Sequence, residues 1–428
     1  TYNYTKVYPQ TGWGQVFADY FNDDIIIENR AMGGRSSKSY DNDGRLDRIL
    51  TEMHPGDYVF IQFGINDGAE NKPERYISVE DYKKLITDKY IGEVEKRGGT
   101  PVLMTANAAA WWDEENNCFM ESRKDYADPT REIAEETGCK FIDENKIVTD
   151  AWNSMSKNRV LSGYFVCEPL ESKAYPSGTN DTTHMKAKGA KRVAKLIADA
   201  IPENVPELAK YLKGDETFTD IQGHWAENVI KTLAESDKIS GVGDGKFNPN
   251  GTVTRAEFLK MAMDSLGIVG HAYRDGECLD ATNDDWYCYY LQGALDKDII
   301  PEEMIENCNV TKVTKTLAEA TDDKKAVTTD VNVYTGKFDG DKPITREEMA
   351  AIAVRCKNYK MRRLTDWDNE RRYPIFSFKD SDEIDEKYIS DVVEAYNLNY
   401  IDGMEDGRFA PKENLTRAQA AVVMNNLK

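Results

Sequence analysis

Three stretches of this chain hold the residue types that move protons and stabilise charge. Asp181-Thr182-Thr183-His184 sets a carboxylate three residues before an imidazole, Gly64-Ile65-Asn66-Asp67 presents a carboxamide, and Asn29-Arg30-Ala31-Met32-Gly33-Gly34-Arg35-Ser36 is a glycine turn. Taken singly, each also has a structural reading. A G-x-N-D is a good turn, and a D-x-x-H can be a capping aspartate beside a surface histidine. The seven cysteines, Cys118, Cys139, Cys167, Cys278, Cys288, Cys308 and Cys356, contain no CxxC pair and have no histidines nearby, so no metal site is expected. Cys278, Cys288, Cys308 and Cys356 cluster in one C-terminal stretch, and a disulfide, if one forms, is expected there.

The elements that must position these groups alternate between β-branched runs and helical patterns up to about residue 212, the signature of a parallel sheet covered by helices on both faces. The expected strands are Ile25–Glu28, Tyr58–Phe63, Pro101–Thr105 and Lys140–Ile142. The glycine turn follows the first of these strands and Gly64-Ile65-Asn66-Asp67 the second, so both fall at the carboxyl edge where open α/β sheets place their sites. After Asp181–His184, Ala190, Val193, Ala194, Ile197 and Ile201 recur at helical steps in a helix expected to end at Pro202. The junction from Pro202 to Thr217, with its prolines, glycine and charges, separates this architecture from a different one.

At 428 residues the chain has room for a catalytic core plus appended modules. Its 76 acidic and 55 basic side chains leave a net charge of -21, which argues against nucleic acid and anionic membranes as partners. No run of about 18 apolar residues is present to span a bilayer.

Beyond Thr217 the strand signals fade and a repeat emerges. Phe218-Thr219-Asp220, His224-Trp225-Ala226, Gly243-Asp244-Gly245-Lys246-Phe247 and Thr254-Arg255-Ala256-Glu257 return as Phe378-Lys379-Asp380, Asp406-Gly407-Arg408-Phe409 and Thr416-Arg417-Ala418-Gln419. A degenerate copy lies between them: Tyr273-Arg274-Asp275, Asp285-Trp286, a polar insertion around 311–337 expected to be a loop or a small excursion, and Thr345-Arg346-Glu347-Glu348. Each threonine can cap a helix while the following arginine projects sideways.

This series resembles the S-layer homology family, which implies a mainly helical module of three repeats, 218–268, 273–357 and 376–428, in grooves of which a pyruvylated secondary cell-wall polysaccharide is held. The resemblance assigns Asp220, Trp225, Gly243 and Arg255 to the first groove and Asp380, Gly403 and Arg417 to the third, with Arg346 in the degenerate one. A guanidinium fork suits a carboxylate bidentately.

The order and spacing of the first-half motifs, with Gly12-Trp13-Gly14-Gln15 near the start, resemble the SGNH hydrolases and most closely their rhamnogalacturonan acetylesterase branch. That implies a flavodoxin-like three-layer α/β fold over 1–212. The resemblance gives the Gly34 N–H and the Asn66 amide to an oxyanion hole, His184 the role of general base and Asp181 that of orienting it, with no metal or cofactor. The family's Gly-Asp-Ser nucleophile motif is absent from these residues and belongs just before Gly12-Trp13-Gly14-Gln15. It is expected upstream of Thr1, either on a separate peptide that stays associated or on residues outside these 428, and a further parallel strand is expected beside the Ile25 and Tyr58 strands, from such residues or from a neighbouring molecule. Thr1 should then lie near Asn66 and His184. The leading expectation is an extracellular, wall-anchored esterase that removes acetyl groups from pectin or xylan. The alternative is a catalytically inactive surface-binding or S-layer structural protein.

Overall fold

A computed structural model describes residues 8–213, 218–236, 238–272, 278–282, 284–318, 326–362 and 378–427. The chain divides into two compact units, Thr1–Cys167 with Thr179–Gly214, and Glu168–Gly178 with Asp215–Lys428. The short segment Glu168–Gly178 thus groups with the C-terminal residues, and Leu170 O accepts a hydrogen bond from Ala272 N at 2.8 Å. Among the described residues no helix is long and apolar enough to cross a membrane.

The strands of the first unit are β1 (Tyr58–Gln62), β2 (Thr100–Met104), β3 (Trp111–Asp113), β4 (Cys118–Met120) and β5 (Lys140–Ile142). β1, β2 and β5 form a parallel sheet in that order, with Ile61 opposite Leu103 and Met104 opposite Ile142. Successive side chains along a strand point to opposite faces. Val102 and Met104 therefore join one core with Val193, Ile197 and Ile201 of the helix Ala187–Asn204, while Leu103 joins another with Tyr82, Ile86 and Ile133. Helices on both faces of a parallel sheet make the three-layer α/β architecture.

Two local expectations change. Ile25–Glu28 starts at a bend and belongs to no sheet: Ile25 and Ile27 pack against the core, whereas Ile26 is 85% exposed. Apolar alternation alone makes an extended segment, and a strand also needs a ladder partner. β1 pairs only with β2 among the described residues, so its other edge has no strand beside it. The last helix does not stop at Pro202 but continues to Asn204. A proline removes one N–H, and the turn holds because Val205 N reaches Ile201 O at 2.8 Å and the Asn204 side chain reaches Ala200 O.

In the second unit three segments repeat one set of contacts. Thr254, Thr345 and Thr416 cap the helices Arg255–Leu266, Arg346–Arg362 and Arg417–Asn426, each exchanging bonds with the residue three positions on: Glu257, Glu348 or Gln419. This reciprocal capping satisfies two otherwise orphaned N–H groups. Just before the caps the backbone closes a ring, in which Val253 N donates to Leu415 O, Leu415 N to Ile344 O, and Ile344 N to Val253 O, at 2.9–3.1 Å. One apolar core runs through all three segments.

An aspartate in each segment accepts two backbone N–H bonds across a turn. Asp220 holds Phe247 and Asn248, Asp280 holds Phe338 and Asp339, and Asp380 holds Phe409 and Ala410, all at 2.7–2.9 Å. Asn248, Asp339 and Ala410 all have φ of 57–58°, the left-handed conformation that these carboxylates help to hold. The middle aspartate is therefore Asp280; the expected Tyr273-Arg274-Asp275 lies outside the described residues. The insertion is not a loop but an antiparallel ribbon of β6 (Glu306–Ala318) and β7 (Val327–Lys337), whose Thr, Val and Tyr content favours paired strands. Of the C-terminal cysteines, Cys278, Cys288 and Cys356 are buried in the apolar core, where a cysteine packs as a small apolar side chain.

Candidate active site

A cleft of about 930 Å³ lies between the segment 24–35 and β1 and reaches the residues after the carboxyl end of β1. Gly34, Asn66, Asn107 and His184 all line it. The topology thus brings together three of the four catalytic residues expected from sequence, and the fourth, Asp181, stands behind His184. The His184 Nδ1 to Asp181 Oδ2 distance is 2.7 Å, which leaves Nε2 as the nitrogen that can serve the cleft. Asp181 Oδ1 accepts from the backbone N–H groups of Thr183 and His184, and Oδ2 also accepts from Gln10 Nε2 at 3.2 Å. Burial works to raise the Asp181 carboxyl, but the bonds from His184 and Thr183 outweigh it and hold it at about 2. The same carboxylate raises the His184 imidazole above its ordinary value.

The turn bearing this pair is braced on both sides. Ala110 N donates to Thr182 O at 2.8 Å, and Thr11 N donates to Met185 O at 2.9 Å. Thr1 lies outside the described residues, but Gln10 and Thr11 run beside Asp181 and Met185. Trp13, in the one-turn 3-10 helix Trp13–Gln15, donates to Gln62 Oε1 at the end of β1.

The same cleft is lined by the two candidate oxyanion donors, Gly34 and Asn66. Gly34 has φ 71°, a left-handed turn that a glycine adopts freely. Asn66 Nδ2 donates to Arg35 O at 3.1 Å, which aligns the amide with the glycine turn. Asp67, fully buried, ties the two loops together: it accepts from Ser37 N and Ser37 Oγ through one oxygen and from Gly64 N through the other. Burial pushes its carboxyl up, against the bonds from Ser37 and Gly64. Ser36 caps the helix Ser37–Asn42 and exchanges bonds with Ser39, so these nearby serines are buried in structural roles.

Asp67 closes the Gly64-Ile65-Asn66-Asp67 motif, which by itself implies no role for it, and no sequence signal points to Gln10 or Arg75. The Arg75 guanidinium lies 3.5 Å from Asn66 Oδ1 and against Gly34. Replacing Asp67 with alanine should leave the N–H groups of Ser37 and Gly64 without their acceptor. A loss of about 2–3 kcal/mol in denaturant unfolding is expected, with a fall in turnover. Unchanged stability would show that the two loops hold each other without it.

In the C-terminal unit the repeat arginines Arg255, Arg346 and Arg417 are each 7% exposed and reach into the next segment. Arg346 donates to Phe409 O and Asp402 O, and Arg417 to Phe247 O and Ser240 O, all at 2.7–2.9 Å. Arg255 donates to Phe338 O at 2.6 Å, and its fork also engages the Glu348 carboxylate. Trp225 is 67% exposed and stands beside His224. Gly403 corresponds to Gly241 rather than to Gly243, since each precedes its phenylalanine by six residues. A Cβ at either would strike Phe218 or Phe378 at 2.5–2.6 Å, so a ring closes over both glycines.

A half-buried carboxylate behind an imidazole, in one cleft with a glycine turn and a side-chain amide, is the donor set a carboxylic-ester hydrolase uses. The chain belongs to the GDSL-like lipase/acylhydrolase family, which it matches over residues 1–192, and residues 217–259 and 377–421 match the S-layer homology domain. It is 34% identical over 194 residues to the probable rhamnogalacturonan acetylesterase YesY of Bacillus subtilis, covering 45% of this chain and 84% of that protein. It is 32% identical over 198 residues to the rhamnogalacturonan acetylesterase RhgT of the same organism, covering 46% and 82%. A third relative, an amylopullulanase of Thermoanaerobacterium thermosulfurigenes, is 34% identical over 213 residues, covering 50% of this chain and 10% of that protein.

Proposed function

We propose that this protein removes acetyl groups from plant polysaccharide of the rhamnogalacturonan or xylan kind, held at a bacterial cell surface by three S-layer homology repeats. The reading rests on the Asp181–His184 pair facing Gly34 and Asn66 across one cleft, and on relatives that act on rhamnogalacturonan acetyl esters. The nucleophile is a serine delivered by a strand lying in the cleft along the unpaired edge of β1. His184 Nε2 takes the serine proton as Oγ attacks the acetyl carbonyl, and the negative oxygen accepts bonds from Gly34 N–H and Asn66 Nδ2. Collapse expels the sugar alkoxide, which takes the proton from Nε2. Water then repeats the sequence and releases acetate. With the serine present, acetate should be freed from acetylated rhamnogalacturonan or xylan; no release from either would overturn the reading.

The contacts repeated around Asp220, Asp280 and Asp380 support counting the middle segment as a third repeat, and they refine the anchoring expectation. In Arg255 the fork is already engaged by Glu348 at hydrogen-bond distance, whereas Arg346 and Arg417 donate to carbonyls and Arg417 has only the more distant Glu257 carboxylate at 3.7 Å. Arg417 is the better candidate to take a polysaccharide carboxylate. The full chain should sediment with purified walls, and Arg417→Ala should weaken this about tenfold, as loss of a charge-assisted bond does. Arg255→Ala should weaken it less. Binding that survives removal of the wall polysaccharide would contradict the anchoring.

A further inference from the structure

We infer that Trp111 and Arg123 form a subsite for a uronate ring of the polysaccharide beside the His184 turn, an inference that rests on the esterase reading of the cleft. The ribbon β3–β4 starts immediately after Ala110, whose N–H is bonded to Thr182 O, and Asn107 just before it lines the same cleft as His184. Two peptide steps on one side of that bond and one on the other put Trp111 within roughly 15 Å of His184 along the backbone. Here a neighbouring sugar unit would lie when an ester is at the imidazole.

Strand alternation sends the two tryptophans of β3 to opposite faces. Trp112 turns inward, its ring 4.8 Å from Phe119 and packed against the core. Trp111 turns outward and is 38% exposed, and its cross-strand partner Met120 is 42% exposed. An indole left open on a three-residue strand contributes little to folding, but it offers a flat apolar surface to the C–H face of a pyranose.

Arg123 supplies the charge. Its guanidinium carbon is 5.0 Å from the Trp111 ring centroid, its backbone is left-handed at φ 58°, and its Nε is buried without a hydrogen-bond partner. The loop that carries it is fixed from below, because Ala109 N donates to Ser122 Oγ and Ser122 N to Asn145 Oδ1. Acidic side chains outnumber basic ones 76 to 55 in this chain, and Arg30, Arg35, Arg48, Arg97 and Arg131 all have carboxylate partners. Among the described residues Arg123 has none. An arginine stacked on an indole, with donors unused and no internal carboxylate, matches a sugar ring that bears a carboxylate of its own. A xylose unit would meet only the indole, so the pair favours a uronate-containing chain over a neutral one.

Calorimetric titration of the full chain with a rhamnogalacturonan oligosaccharide and with a xylo-oligosaccharide of equal length tests this. The acidic ligand should bind about tenfold more tightly, with a margin that shrinks as salt screens the contact. Arg123→Gln should erase that margin while leaving xylo-oligosaccharide binding in place. Trp111→Ala should weaken both ligands about tenfold, and Trp111→Phe should restore most of the loss; melting curves confirm that each variant is folded. Equal affinity for the two ligands in the unaltered chain, or a margin that persists in Arg123→Gln, would overturn the subsite. Preserved binding preference without acetate release, when the serine is supplied, would instead sink the esterase reading and leave the subsite standing.

Discussion

Replacing His184 with alanine should reduce acetate release by about 10⁴-fold or more, because the residues of a catalytic triad act as one unit and losing the base disables the nucleophile. Gly34 and Asn66 would still polarise the carbonyl, so a small residual rate over water is expected rather than none. The pH profile carries the same signature. The imidazole works as a base only when neutral, and Asp181 raises its pKa, so activity should fall on the acid side with a midpoint above the ordinary histidine value of about 6.5. Asp181→Asn removes the carboxylate that stabilises the imidazolium, which should move that limb to lower pH and lower the plateau. Progress curves of acetate release from pH 5 to 9 would decide the matter. Undiminished activity in His184→Ala would place the base elsewhere.

The largest stability effect is expected at Asp380. Its carboxylate is 6% exposed and accepts from Phe409 N and Ala410 N, so Asp380→Ala strands two buried donors and releases a left-handed residue at once. Charge-assisted bonds contribute about 1.5–3 kcal/mol each, and a loss of about 3 kcal/mol or more should appear in chemical denaturation of the C-terminal unit. The equivalent change at Asp220, half-buried, should cost less, and at the exposed Asp280 least, because water can take over the freed N–H groups. Equal losses at the three would mean that burial does not set the strength of this clamp.

Signals contained within a few residues were legible in the sequence. Asp181 and His184 are one turn apart, so their pairing needs no other part of the chain. Thr254 with Glu257 and Thr416 with Gln419 cap their own helices through bonds spanning three residues. The runs that became β1, β2 and β5 carry enough β-branched and apolar side chains to read as buried strands. Contacts that join distant segments were not legible. Ile25–Glu28 has a strand's composition, but a ladder requires a partner beside it. Tyr273-Arg274-Asp275 has the residue types of the repeat motif, yet Asp280 holds the clamp, because the aspartate must face the N–H groups of Phe338 and Asp339. The sequence alone determined which residue types could do chemistry and which helices begin where. The tertiary structure alone decided that Asp67 joins two loops, that Arg417 reaches from the last segment to Phe247 in the first, and that Trp111 faces outward. Each of these depends on distances across the chain that packing sets and local propensity does not.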